Sequence, residues 1–176
     1  MIAASVYMLV FRTIHVLAAV AWGGAVVMLV LFLQPSAKAI GPAAGPFMAE
    51  LVGRRKLPSA ILSLAGTTIV AGGFLYWRDV DVSGGFGDFV GSSFGLWMTV
   101  GAASAIVAFL IGLLATKPTM DRVMALGPRI AQAGDPPPAD LLGELQVLQA
   151  RARMLAKVNL AFVTFAAFAM ATARYW

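Results

Sequence analysis

The sequence has no cysteine, a single histidine and few charges, with Lys, Arg, Asp and Glu together making up 12%. Without cysteine it has no disulfide, thiolate metal site, iron–sulfur cluster or covalently attached c-type haem. The charged share is about half that of an ordinary water-soluble domain, and no polar segment is long enough to fold separately in water. Acids are scarcer than bases, eight against thirteen. All the acids fall in segments that read as loops. No buried carboxylate pair is therefore expected for hydrolysis or for a carboxylate proton relay. No Ser-His-Asp set, metal-hydrolase motif or phosphate-binding loop occurs. The formal net charge of +5 does not point to nucleic acid, because the bases gather beside apolar runs, where membrane proteins carry them.

What the chain does have is apolar length: 60% hydrophobic residues and a mean hydropathy of +0.86. Runs at 6–33, 58–77, 93–116 and 154–175 each suffice for a spanning helix, which needs roughly 20 residues. The expected fold is all-α, a single four-helix transmembrane bundle over residues 1–176 in a lipid bilayer. Gln34-Pro35 is expected to close the first helix, and Pro58 to open the second. Between them lie small residues and the basic run Arg54-Arg55-Lys56. Residues 78–92 read as an acidic, glycine-rich turn. Asp79-x-Asp81-x-Ser83-Gly84 opens like a calcium loop, but Val90 stands where the closing glutamate would be. Residues 117–151 read as a helical extension between the third and fourth helices, with Leu141, Leu145 and Leu148 on one side. The N-terminus lacks the basic region of a signal peptide, so cleavage after Ala37-Lys38-Ala39 is not expected.

Basic residues set the expected orientation. Lys38, Arg54, Arg55 and Lys56 occupy one connection. Lys117, Arg122, Arg129, Arg151 and Arg153 occupy another, against Arg78 alone in the third. Both basic connections, including the helical extension, are expected in the cytoplasm, with both termini outside a bacterial-type inner (plasma) membrane.

Candidate chemistry sits in the first span. Met8, Arg12, His15, Ala19, Trp22 and Val26 fall within about 80° of helical arc. A charged or ionisable residue inside a span is costly, so this stripe is expected to meet another helix or something bound. His15 lies roughly 12 Å below the outer boundary, and Met98 and Met170 roughly 5–9 Å deep. Imidazole with thioether suits haem b or copper, the copper site drawing on His15, Met8, Met98 and Met170. Methionine also fills core gaps, and a lone histidine also serves as a hydrogen-bonding bridge between helices. The second span carries Ser59, Ser63, Gly66, Val70, Gly73 and Trp77 along one stripe, expected to pack closely on a neighbour. In the third, Phe94, Met98, Gly101, Ala105 and Gly112 share a face.

The run Ile14-His15-Val16-Leu17-Ala18-Ala19-Val20-Ala21-Trp22-Gly23-Gly24 resembles the first helix of CopD-type copper-resistance membrane proteins. Its His-x6-Trp spacing is similar to that of the HemJ-type protoporphyrinogen oxidases. Gln34-Pro35, Arg54-Arg55-Lys56 and the glycine-rich second span follow in CopD order, over roughly residues 10–115. The lysine those families carry near the outer start of the third helix is absent from Phe94 to Gly101, a departure that bears on oxidase activity in particular. The resemblance implies a haem b or copper site at His15, with Trp22 beside it. Arg12, one turn outward from His15, suits a haem propionate or another anionic ligand, or snorkels to the outer headgroups. Three functions follow as expectations. One is a redox or haem-handling protein, one a copper-handling protein, and one a non-catalytic accessory subunit of a larger membrane complex. Bis-histidine haem would need a homodimer, since each chain has one histidine.

Overall fold

The computed structural model describes residues 2–134 and 136–176. Helix α1 (Ile2–Met28) passes through a π turn (Leu29–Leu33) into α2 (Gln34–Ile40). A short α3 (Gly45–Ala49) and a second π turn (Glu50–Arg54) lead to α4 (Leu57–Val82). After α5 (Phe86–Gly91), α6 (Ser93–Ile111) runs through a third π turn (Gly112–Thr116) into α7 (Lys117–Gln132). Helix α8 (Ala139–Thr172) and a short 3-10 turn (Ala173–Tyr175) complete the chain. No strand occurs among the described residues. Four continuous helices, Val6–Ile40, Leu57–Val82, Ser93–Gln132 and Ala139–Tyr175, are long and apolar enough to cross a membrane. The molecule is an all-α four-helix bundle suited to a bilayer.

The helices are longer than the apolar runs that nucleate them. Pro35 does not end the first helix, contrary to expectation. In the π turn before it, the Gln34 amide donates to the Leu29 carbonyl five residues back. Pro35 then falls in the first turn of the next α segment, where a missing N–H costs nothing. The third π turn repeats the device: the Lys117 amide donates to Gly112, and Pro118 follows. The acidic stretch is also less of a loop than expected. Helix α4 carries Asp79 and Asp81 to its end, and the turn is confined to Ser83–Gly85. That turn needs positive φ at Gly84 (90°) and Gly85 (130°), which a side chain would resist. Ser92 caps α6 by accepting from the Gly95 amide at 3.0 Å.

The closest pairings are α1 with α4 and α6 with α8. The two pairs meet around Trp22, Val26, Ala65, Ala105, Ala108 and Ala156. Small residues at this seam let the backbones approach closely, which drives helix association in lipid. Polar rungs tie the helices at intervals. Tyr7 donates to the Phe74 carbonyl at 2.9 Å, and the Tyr76 and Thr99 hydroxyls meet at 2.7 Å. Ser104 donates to the Phe162 carbonyl at 2.9 Å, and the Asn159 amide to Ala108 at 2.6 Å. Beyond the apolar spans α7 packs on α8, burying Leu126 and Leu148, with Leu141 and Leu145 half-buried. At the other end Trp97 stacks on Trp176, ring centres 5.4 Å apart.

Candidate functional site

His15 sits in the α1–α4 seam, half-buried. Its Nδ1 lies 2.9 Å from the main-chain carbonyl of Thr68. A carbonyl only accepts, so Nδ1 carries the proton, and in the neutral ring the lone pair belongs to Nε2. Nε2 has no hydrogen-bond partner among the described residues. Gly72, one turn beyond Thr68, makes room for the ring: a Cβ there would stand 2.8 Å from His15 Cε1 and 2.9 Å from Nδ1. Thr68 is buried, and its hydroxyl is satisfied within α4 by Leu64 at 2.9 Å. The imidazole is thus aimed by one nitrogen and available at the other, the arrangement that metal-binding histidines adopt.

The rest of the stripe divides along its length. Trp22 and Val26 are buried in the core, and Ala19 is half-buried. Met8 is half-buried and Arg12 exposed, with no ion pair for Arg12 among the described residues. Met170 lies in the other helix pair, against Gly101, where an added Cβ would come within 2.9 Å of Met170 Cγ. Met98 is half-buried on α6. His15 therefore meets α4 whereas Met170 meets α6, and no described contact joins the thioethers to the imidazole. No group of three or more His, Cys, Asp or Glu converges among the described residues.

Thr68 and Gly72 carry the His15 geometry, and neither stands out in the sequence. The stripe expected to pack, Ser59, Ser63, Val70, Gly73 and Trp77, is exposed, and only Gly66 on it is half-buried. Helix α4 instead buries Ala65, Thr68 and Ala71. Small residues occur on both faces of α4, so their spacing does not distinguish them. The third helix was unambiguous: Gly101 and Ala105 are buried, with Phe94, Met98 and Gly112 half-buried.

Two hollows flank the bundle seam. A shallow groove of 330 Å³, lined by Phe11, Ile14, Gly66, Thr67, Val70 and Ala71, opens outward between α1 and α4. It borders the His15 region in sequence without including the histidine. A deeper cavity of 110 Å³ lies toward the basic end of the bundle, with Trp22 in its wall. All four long helices contribute to it, and Met48 and Val52 of the 41–56 connection lie across it. The chain matches no protein-family model, no curated protein and no solved structure.

Proposed function

We propose that this chain is a multi-pass membrane protein that binds haem b through His15 Nε2, with a redox or haem-handling role. The observation that carries the reading is the Nδ1–Thr68 carbonyl bond at 2.9 Å, which fixes the tautomer and leaves Nε2 unpartnered. The resemblance of Ile14–Gly24 to CopD-type first helices points the same way.

The donor fits an axial haem ligand, but the enclosed space does not fit a whole macrocycle. The 110 Å³ cavity is smaller than the ~150 Å³ void that takes a benzene ring, and His15 is not among its walls. Haem would therefore be held on the α1–α4 face and closed over from outside the single chain. Arg12, exposed one turn from His15, would meet a propionate, as guanidinium meets carboxylate. A second ligand would come from His15 of a second copy; Met98 and Met170, the thioethers read from the sequence as candidates, lie with the α6–α8 pair rather than on the α1–α4 face. Bound haem would supply one-electron chemistry; the chain's part is to orient one nitrogen toward it.

Orientation completes the proposal. The bases at Arg54–Lys56, along α7 and at Arg151 and Arg153 of α8 favour a cytoplasmic side for that end, with both termini outside. Reporter fusions after Trp176 and within residues 130–140 are expected on opposite sides of the membrane. A cytoplasmic C-terminus would contradict the orientation. An optical spectrum with metal analysis tests the cofactor. A Soret band with reducible b-type features supports haem. Copper without haem favours a histidine–thioether site. Neither favours an accessory subunit whose polar stripe packs on a larger complex.

A further inference from the structure

The connection between the first two spanning helices does not stand away from the bundle. Met48 and Val52 lie across the cavity beside Gln34, Leu57 and Pro58, where the first apolar run ends and the second begins. Gly53 meets α7, where an added Cβ would stand 3.1 Å from Met124 Cε. The connection is therefore folded back to the level at which the helices leave the apolar layer. These contacts occupy its inward side chains and leave its outward ones uncovered. Ile40 and Phe47 are large, apolar and more than half exposed, at 59% and 55%. Residues 34–56 also hold four bases, Lys38, Arg54, Arg55 and Lys56, against the single acid Glu50, a formal +3. Arg54 and Arg55 share that carboxylate at 3.4 and 3.1 Å, and both stay largely exposed. Lys38 and Lys56 form no ion pair among the described residues.

We propose that residues 38–56 dock on the headgroup layer of the bilayer and select anionic phospholipid. Ile40 and Phe47 enter the acyl boundary, and the four bases meet lipid phosphates. Two observations together name the partner. Apolar side chains at the rim of a spanning bundle have lipid within reach, and inserting them there removes their surface from water. The charge on the same segment complements a negative leaflet, because Lys and Arg clustered beside a spanning helix are drawn to anionic headgroups. A guanidinium also matches a phosphate with two parallel hydrogen bonds. The shared Glu50 leaves each arginine with donors to spare, since a guanidinium carries five. This surface rests on the membrane fold and is independent of haem at His15. It also holds whichever side of the membrane the basic end occupies.

The chain has no cysteine, so one introduced cysteine carries a nitroxide spin label at a single known place. The reporters are Ile40→Cys and Phe47→Cys, each leaving the other apolar side chain in place. The control is Gly143→Cys, exposed, with nothing within 4 Å of its added Cβ. It lies roughly 16 Å along α8 before the fourth apolar run. The full chain is placed in nanodiscs of phosphatidylcholine alone, or of an equal mixture with phosphatidylglycerol. Collisions of the label with oxygen, which concentrates among acyl chains, are compared with collisions with a water-soluble nickel chelate. In the mixture both reporters should favour oxygen and the control should favour the chelate. In phosphatidylcholine alone the reporters should shift toward the chelate. Replacing Arg54, Arg55 and Lys56 together by glutamine should produce the same shift in the mixture, with size-exclusion behaviour checking the fold. Reporters that match the control in both lipids would overturn docking, a reading that needs no charge variant. An oxygen preference equal in both lipids would overturn the selection of anionic phospholipid.

Discussion

His15 and Thr116 are both polar side chains among apolar helices, and they meet opposite fates. His15 finds a main-chain carbonyl on α4 at 2.9 Å and a glycine that yields space for its ring. The Thr116 hydroxyl, in the π turn whose Gly112 carbonyl accepts the Lys117 amide, is buried with no hydrogen-bond partner among the described residues. In a bilayer no water supplies one. The comparison separates two kinds of site. A side chain anchored at one atom and open at another is prepared to give a lone pair to a cofactor. A side chain with no partner is prepared to take one from a ligand.

Substitutions around the two residues should move stability in opposite directions. The largest effect belongs to Gly72→Ala, whose Cβ would stand 2.8 Å from the imidazole. Overpacking of this kind costs about 1–3 kcal/mol, read as a lower thermal midpoint in detergent. Gly73→Ala next to it has nothing within 4 Å and should leave the midpoint unchanged or slightly raised. Equal losses in the two would mean that the ring does not occupy the Gly72 cradle.

The next comparison is Thr116→Val against Thr68→Val. Removing a buried unpaired hydroxyl should gain about 1 kcal/mol in the ligand-free protein. Removing the Thr68 hydroxyl breaks its bond to Leu64 and should lose up to about 1 kcal/mol. The same sign in both would break the contrast. The smallest effect is expected for Arg54→Ala at the exposed pair with Glu50, 3.4 Å apart. Surface pairs contribute about 0–1 kcal/mol, so the thermal midpoint should stay within error of the parent.

Four helices were legible in the sequence because apolar runs of spanning length allow little else in lipid. The inward turn of Trp22 and Val26 was legible too, from the period of α1, and so was the inward face of Gly101 and Ala105. The helix ends were not. Pro35 read as a break, and the third helix was expected to stop near Thr116; only a hydrogen-bonding register five residues long lets the chain run on through Pro35 and Pro118. The packing face of α4 was hidden for another reason. Ser63, Gly66 and Gly73 are as small as Ala65, Ala71 and Gly72, and hydropathy does not rank them. His15 stood out by its cost, whereas its supports are a main-chain oxygen and a missing side chain, which carry no sequence signal. The π turn that ends at Thr116 was hidden in the same way.

The central claim is that His15 Nε2 is a haem ligand, and the visible spectrum of His15→Ala beside the parent chain tests it most directly. Both proteins are purified after expression with haem supplied, with far-ultraviolet circular dichroism confirming equal helicity. Alanine is a good helix former, and the substitution gives up one hydrogen bond to Thr68, about 1 kcal/mol, so the bundle should stay folded. The account predicts a b-type Soret band in the parent and its loss in His15→Ala. A parent chain that takes up no haem, or a variant that keeps the band unchanged, would contradict it.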